Sequence, residues 1–199
     1  MALPKIQHPT FELTIPSTKQ KIRYRPFLVK EEKILLLAQE SNDVKDMIVA
    51  VKQIINNCII EGDVNINQLP SFDIEYMFLK LRANSVSDIA KLRFTNPDDG
   101  KTTDVEVDLK EVEITWDDNH TADINLTDDI MLTMKYPTYD TIMNVEVDTS
   151  TTDITMNMIK ECVDKVYSGP DGEQVDQFKD HSEKEVDEFI DSLTTRNFE

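Results

Sequence analysis

Asp63, Asn65 and Asn67, in "DVNINQLPSFDIE", have the D-x-N-x-N spacing with which a loop can wrap a calcium ion in oxygens. Such a loop needs Gly at its sixth position for the sharp turn and a bidentate Glu at its twelfth. Those positions hold Gln68 and Ile74. The ring of oxygens cannot close, and the stretch reads as a polar connection followed by helix caps. His8, His120 and His181 fall in predicted loops or at an element boundary, and none has a second ligand at H-x-x-x-H spacing. The pairs Asp98–Asp99, Asp117–Asp118 and Asp128–Asp129 sit in turns, where solvated carboxylates are ordinary. No G-x-S-x-G, Cys–His set or phosphate-cradling glycine loop occurs. The expectation is a protein that is not an enzyme and uses no metal, cofactor or small-molecule ligand.

One constellation could still bind something. In "KQKIRYRPF", Lys19, Lys21, Arg23 and Arg25 alternate with Ile22 and Tyr24, so a strand would present a basic ridge opposite an apolar face. The ridge is an anomaly, because the chain carries −18 overall. Residues 1–60 hold nine Lys/Arg against six Asp/Glu, and residues 61–95 hold four against five. Residues 96–199 hold eight against twenty-eight. So acidic a segment repels nucleic acid, and aromatics for base stacking are sparse beside the ridge. Lys21, Arg23 and Arg25 are therefore candidate contacts to an acidic protein surface, either a partner's or the chain's own acidic half. No apolar run approaches the roughly 20 residues of a membrane helix, and the N-terminus lacks the apolar core of a secretory signal. Neither a membrane nor nucleic acid is expected as a partner.

The elements that must position these residues follow from periodicity. "FELTI" alternates as a half-buried strand, "PSTKQ" supplies a turn, and Pro26 ends the second strand, giving an N-terminal β-hairpin. A helix follows, with Glu31 and Glu32 favourably placed in its first turn. Its run Ile34, Leu35, Leu36, Leu37 is expected to bury two sides. Asp43 caps a second helix whose stripe is Met47, Val51, Ile54, Ile55, Cys58 and Ile59, closed by Gly62. Ser71 caps a third, with Ile74, Met77, Phe78 and Leu81 inward. Cys58 and Cys162 fall on apolar helix faces, as buried thiols of a reducing cytoplasm do.

From residue 87 the pattern changes to strands. "DIAKLRF", the turn "NPDDG" and "TDVEVDLKEVEITW" alternate, with a phase slip at Lys110–Glu111 that implies a bulge or a turn. "ADINL" and "IMLTMKYP" complete a small antiparallel sheet with an acidic outer face. Helices return at Ser150, with Ile154, Met158, Cys162 and Val166 inward and "GP" at 169–170 as the stop, and again at Ser182. The last helix has a narrow apolar face of Val186, Phe189, Ile190 and Leu193. Phe189, Ile190 and Leu193 are expected to meet a neighbouring protein, or chain beyond Glu199. The fold class is α+β: a hairpin with three helices over 1–86, an acidic antiparallel β region over 87–136, and a helical region over 137–199. Whether the three share one core is left open by the sequence.

The blocks "PTFELTIPSTKQKIRYRPFLVKEEKILLLAQES", "QIINNCI" and "LPSFDIEYMFLKLRANSV", in that order, resemble the baseplate hub assembly proteins of T4-like tailed phages. "INLTDDIMLTMKYPT" and the closing acidic helix fit the same pattern, so the resemblance covers nearly the whole chain. It implies a non-enzymatic phage protein that helps to build the central hub of the tail baseplate, as an assembly factor or minor hub subunit. It implies other hub proteins or the tape-measure protein as partners, met in the host cytoplasm during assembly and then in the virion tail. The alternative is an acidic DNA mimic that occupies a host nucleic-acid-binding cleft, for which "DVEVDLKEVE" would supply regularly spaced carboxylates.

Overall fold

The predicted alternation at the N-terminus is realised as strands β1 (Phe11–Thr14) and β2 (Lys21–Tyr24), antiparallel, with Leu13 opposite Ile22. The computed structural model describes residues 6–145, 150–169 and 174–194. Within these residues the chain forms six α-helices and three small antiparallel sheets, so the α+β class holds. It divides into two compact units, Met1–Thr115 and Trp116–Glu199.

In the first unit the hairpin gains a third strand, β3 (Ile59–Glu61), on the β2 side. Helix α1 spans Val29–Ser41, α2 Val44–Cys58 and α3 Ser71–Ser85. The core is Ile15, Ile22 and Tyr24 from the hairpin, Ile54, Ile55 and Cys58 from α2, and Ile74, Met77 and Leu81 from α3, each at most 5 % exposed. Asp43 caps α2 as predicted, its carboxylate accepting the Lys45 N–H at 2.8 Å. Three expectations are corrected. Ile59 does not continue the α2 stripe; it extends into β3, where β-branched residues pair comfortably with the free edge of β2. Gly62 therefore closes a strand rather than a helix. Ser71 is the first residue inside α3, because the Pro70 carbonyl already accepts the Ile74 N–H at 3.4 Å.

A further correction concerns α1. Glu31 and Ala38 share its buried side, and at 100° per residue Val29 and Leu36 lie nearly opposite them. Leu36 and Leu37 are accordingly 55 % and 57 % exposed, so the helix does not bury two sides.

Strands β4 (Ile89–Thr95) and β5 (Thr102–Asp108) form a two-stranded sheet of their own around the predicted turn. The phase slip at Lys110–Glu111 is a turn, and Val112, Ile114 and Trp116 lie outside any strand. Lys80 on α3 donates to the carbonyls of Leu109 (3.2 Å), Lys110 (2.6 Å) and Val112 (2.7 Å), and so pins the foot of this hairpin.

In the second unit β6 (Asp123–Asn125), β7 (Ile130–Met134), β8 (Val163–Ser168) and β9 (Gln174–Gln177) form one antiparallel sheet in that order. The single sheet predicted over 87–136 is thus two sheets, and half of the second comes from the region expected to be helical, β8 from residues read as helix and β9 from the connection after them. Helix α5 (Thr151–Cys162), preceded by the short α4 (Tyr139–Asn144), stops at Cys162. Val166 lies opposite Leu132 on β8 instead of on the helix. Of the "GP" stop, Gly169 follows the strand and Pro170 lies outside the described residues. Ser150 caps α5 and Ser182 caps α6 (Glu183–Asp191), both as predicted.

Gly62 has a φ of +116°, and a Cβ there would meet Ile22 Cγ2 at 2.8 Å; Gly100, at +68°, faces open space. Gly62→Ala should cost about 1–3 kcal/mol from backbone strain, with a further loss from the Ile22 contact. Gly100→Ala should cost less. Equal losses in urea titrations of the two variants would show that the Ile22 contact is immaterial.

Candidate protein-interaction surface

The four members of the predicted basic ridge do not share one face. Lys19 sits in the turn with a φ of +58°, outside β2. Lys21 is exposed at the strand's start. Arg23 bridges neighbouring chain segments, donating to Glu61 at 2.9 Å and to Thr10 at 3.0 Å. Arg25 lies past the strand's end and turns inward, with its side chain 16 % exposed. The outward ridge thus reduces to Lys21 and Arg23, and Arg25 supports the fold.

Arg25 meets a residue that composition alone could not single out. The Glu31 carboxylate, 0 % exposed, accepts from both Arg25 nitrogens, Nη2 at 3.1 Å and Nη1 at 3.4 Å. It also accepts the Leu28 N–H at 2.9 Å and lies 3.4 Å from Lys30 Nζ. The guanidinium donates onward to the carbonyls of Pro26 (2.9 Å) and Asn57 (3.0 Å) and lies 3.6 Å from Cys58 Sγ. Burial pushes the Cys58 thiol up to about 11. Burial alone would raise the Glu31 carboxyl, but the Arg25 and Leu28 hydrogen bonds outweigh it and hold it below its ordinary value of 4.5. The only local signal for this site was an acid at the third position of a helix, which ordinarily marks a solvated first turn.

A second buried carboxylate behaves oppositely. Asp73, also 0 % exposed, accepts the Ser17 N–H at 3.1 Å and the Ser17 hydroxyl. Burial outweighs these hydrogen bonds and the attraction of Lys19, and raises its pKa above 3.8.

At the other end of the chain, Phe189, Ile190 and Leu193 find an intramolecular partner. Ile190 is 2 % exposed in a cluster with Leu132, Val163 and Phe178, and Phe189 and Leu193 pack against it. The Phe178 and Phe189 rings meet edge to face at 5.9 Å. The chain's own sheet covers the narrow face of α6.

Sites for small ligands are weak. Among the described residues no three His, Cys, Asp or Glu side chains gather as for a metal. Asn65 caps a 3-10 turn, accepting the Asn67 N–H at 3.2 Å, so the D-x-N-x-N stretch is a connection. His120 stacks on Tyr136. A cleft of about 630 Å³ in the second unit mixes Lys135, Lys179 and His181 with Glu161 and Glu183, and its Lys160 is already paired with Asp187. No helix among the described residues is long and apolar enough to cross a membrane.

What the first unit does offer is uncovered apolar surface. Val29, Leu36 and Leu37 on α1 and Val44 and Val49 on α2 are 55–81 % exposed. On the β4–β5 hairpin, Leu92, Phe94 and Val105 are 43 %, 57 % and 38 % exposed. Contiguous apolar patches on a folded protein mark places where another protein sits. A protein-family model described as T4 bacteriophage base plate protein matches residues 8–199. The chain belongs to that family. No curated protein and no solved structure matches it. For a base plate protein, whose place is in the phage tail among other baseplate proteins, these exposed apolar side chains are the candidate contact surface of the first unit.

The two buried carboxylates predict opposite pH responses. Glu31, with a lowered pKa, contributes stability that is present above about pH 4.5 and lost as pH falls through its folded value. Asp73, with a raised pKa, contributes stability below about pH 3.8 that is lost as pH rises through its folded value. Glu31→Gln should cost about 3–5 kcal/mol near pH 7, because it strands a buried guanidinium, and the deficit should shrink in acid. Asp73→Asn should instead gain on the wild type as pH rises. Urea titrations from about pH 3 to 7 test this, and parallel slopes for the two variants would refute it.

Proposed function

We propose that this base plate protein acts without catalysis, in assembly of the central hub of the baseplate, as an assembly factor or minor hub subunit. The observation that carries this reading is the set of large apolar side chains left exposed on α1 and α2. Val29, Leu36, Leu37, Val44 and Val49 stay exposed although each costs free energy to leave in water. Along the same two helices Lys30, Lys33, Lys45 and Lys52 intermix with Glu32, Glu40, Asp43 and Asp46. Exposed apolar side chains among charges of both signs have the composition of a protein contact surface. It lies in the near-neutral third of a strongly acidic chain, where another protein can approach without long-range repulsion. Hub and tape-measure proteins are the proposed partners, met first in the host cytoplasm. DNA mimicry is not carried forward: in "DVEVDLKEVE", Asp104 and Glu106 are paired with Arg93 and Lys91, so they present no free ladder of charge.

Co-expression with the phage's hub and tape-measure proteins, followed by size-exclusion chromatography, tests the reading. The wild type should co-elute with one of them. Leu36→Glu with Leu37→Glu should abolish co-elution and leave the melting temperature nearly unchanged, since both side chains are already exposed. A wild type that elutes alone from every such mixture would end the hub assignment.

A further inference from the structure

The β4–β5 hairpin has two unlike faces. On one, Lys91 pairs across the strands with Glu106 at 3.1 Å, and Arg93 with Asp104 at 2.7 Å. On the other, Ala90, Leu92 and Phe94 lie opposite Val107, Val105 and Thr103. A two-stranded ribbon is marginal by itself, and solvent-exposed ion pairs add little to it. The apolar stripe would supply most of the hairpin's stabilisation if it were covered, yet Phe94 is 57 % exposed. The foot of the hairpin, by contrast, is fastened by Lys80 to three carbonyls and by Lys110 to Asp88 at 2.7 Å. The hairpin is held at its base and uncovered along its length.

Charge says what covers it. Each of the hairpin's cations already has an acid: Lys91, Arg93, and Lys101, which pairs with Asp99 at 2.9 Å. Asp98 at the tip has no ion pair among the described residues, whereas Asp108 at the foot accepts the Lys110 N–H at 2.8 Å and is attracted to Lys80 and Lys110, so the charge left over is negative at the tip. A second copy would bring the same acids, and its own −18, to the contact. We propose that the hairpin's apolar face docks on a different baseplate protein, at an apolar strip with a Lys or Arg beside it that meets Asp98. This deepens the assembly reading, on which it rests for the class of partner, but it does not require that partner to belong to the hub.

The test uses the full chain with benzoylphenylalanine in place of Phe94, co-expressed with each of the phage's baseplate proteins in turn. Photolysis should link position 94 to one of them, at an apolar segment with a basic residue beside it. Leu92→Thr with Phe94→Thr keeps strand propensity while removing the stripe, and should weaken that complex ~30-fold, as loss of a central contact does. Wild-type affinity should also fall as salt rises, which a purely apolar contact would not show. Cross-linking to a second copy, no cross-link to any baseplate protein, or full affinity in the threonine variant would each overturn the proposal. If the threonine variant binds every baseplate protein as the wild type does while Leu36→Glu with Leu37→Glu loses the hub, the hub reading stands and this one falls. With a cross-link to a baseplate protein outside the hub and no hub co-elution, the hairpin proposal stands and the hub reading falls.

Discussion

A carboxylate with no access to water decides how the first unit is put together. Removing Glu31 from solvent is costly unless every lone pair is used, and a buried ion pair is tolerated only with good geometry. Arg25 supplies a two-pronged partner, the Leu28 amide supplies a further donor, and the guanidinium's remaining N–H groups reach the Pro26 and Asn57 carbonyls. The end of β2, the first turn of α1 and the last turn of α2 therefore meet at one point. The Arg25 N–H donates to the Cys58 carbonyl at 3.0 Å, which holds the point where α2 gives way to β3. Asp73 does the same at the other end of the hairpin, tying the turn at Ser17 to the start of α3. Along the same hairpin, Tyr24 accepts from Asn84 at 2.7 Å and the Phe27 N–H donates to Ser85 at 3.0 Å, which secures the far end of α3.

This polar framework explains why the apolar residues of α1 are free for other use. Its first turn is anchored at Glu31, and the buried side that follows includes Ala38 rather than the leucines. With the helix oriented by an ion pair, Leu36 and Leu37 are not needed for packing within the unit. A surface used to hold another protein benefits from this division, because the fold does not depend on the residues that must be covered and uncovered. The β4–β5 hairpin shows the same separation: Lys80 and Lys110 fasten its foot, and its apolar stripe is left over.

The second unit depends on sheet packing instead. Leu132 and Val163 face Phe178 and Ile190, and α6 lies over the sheet with Phe189 against Phe178. Most of the unit's carboxylates lie outside this small apolar centre. Their charge repels other acidic chains, whereas the charge of the first unit is nearly balanced.

Local signals in the sequence were strong wherever one element's own residues carry the information. The β1–β2 hairpin, the caps at Asp43, Ser150 and Ser182, the inward stripe of α3 and the "NPDDG" turn were all legible, because alternation, capping and turn chemistry act over two to four residues. Membership of the base plate family was legible for a related reason, since its blocks run along most of the chain. Three kinds of feature were not legible. Ile59 and Val166 have helical spacing with their neighbours, but an open strand edge elsewhere in the chain drew their backbone into β3 and β8. Lys19, Lys21, Arg23 and Arg25 have strand spacing, but the strand ends at Tyr24, and a buried acid six residues on turned Arg25 inward. Phe189, Ile190 and Leu193 form a face that wants covering, and only the folded sheet shows that the chain covers it itself. Sequence determined which segments could be strands, helices and turns, because those choices are local. Tertiary structure decided which apolar and charged faces were consumed inside and which were left for a partner, because burial depends on residues tens of positions apart.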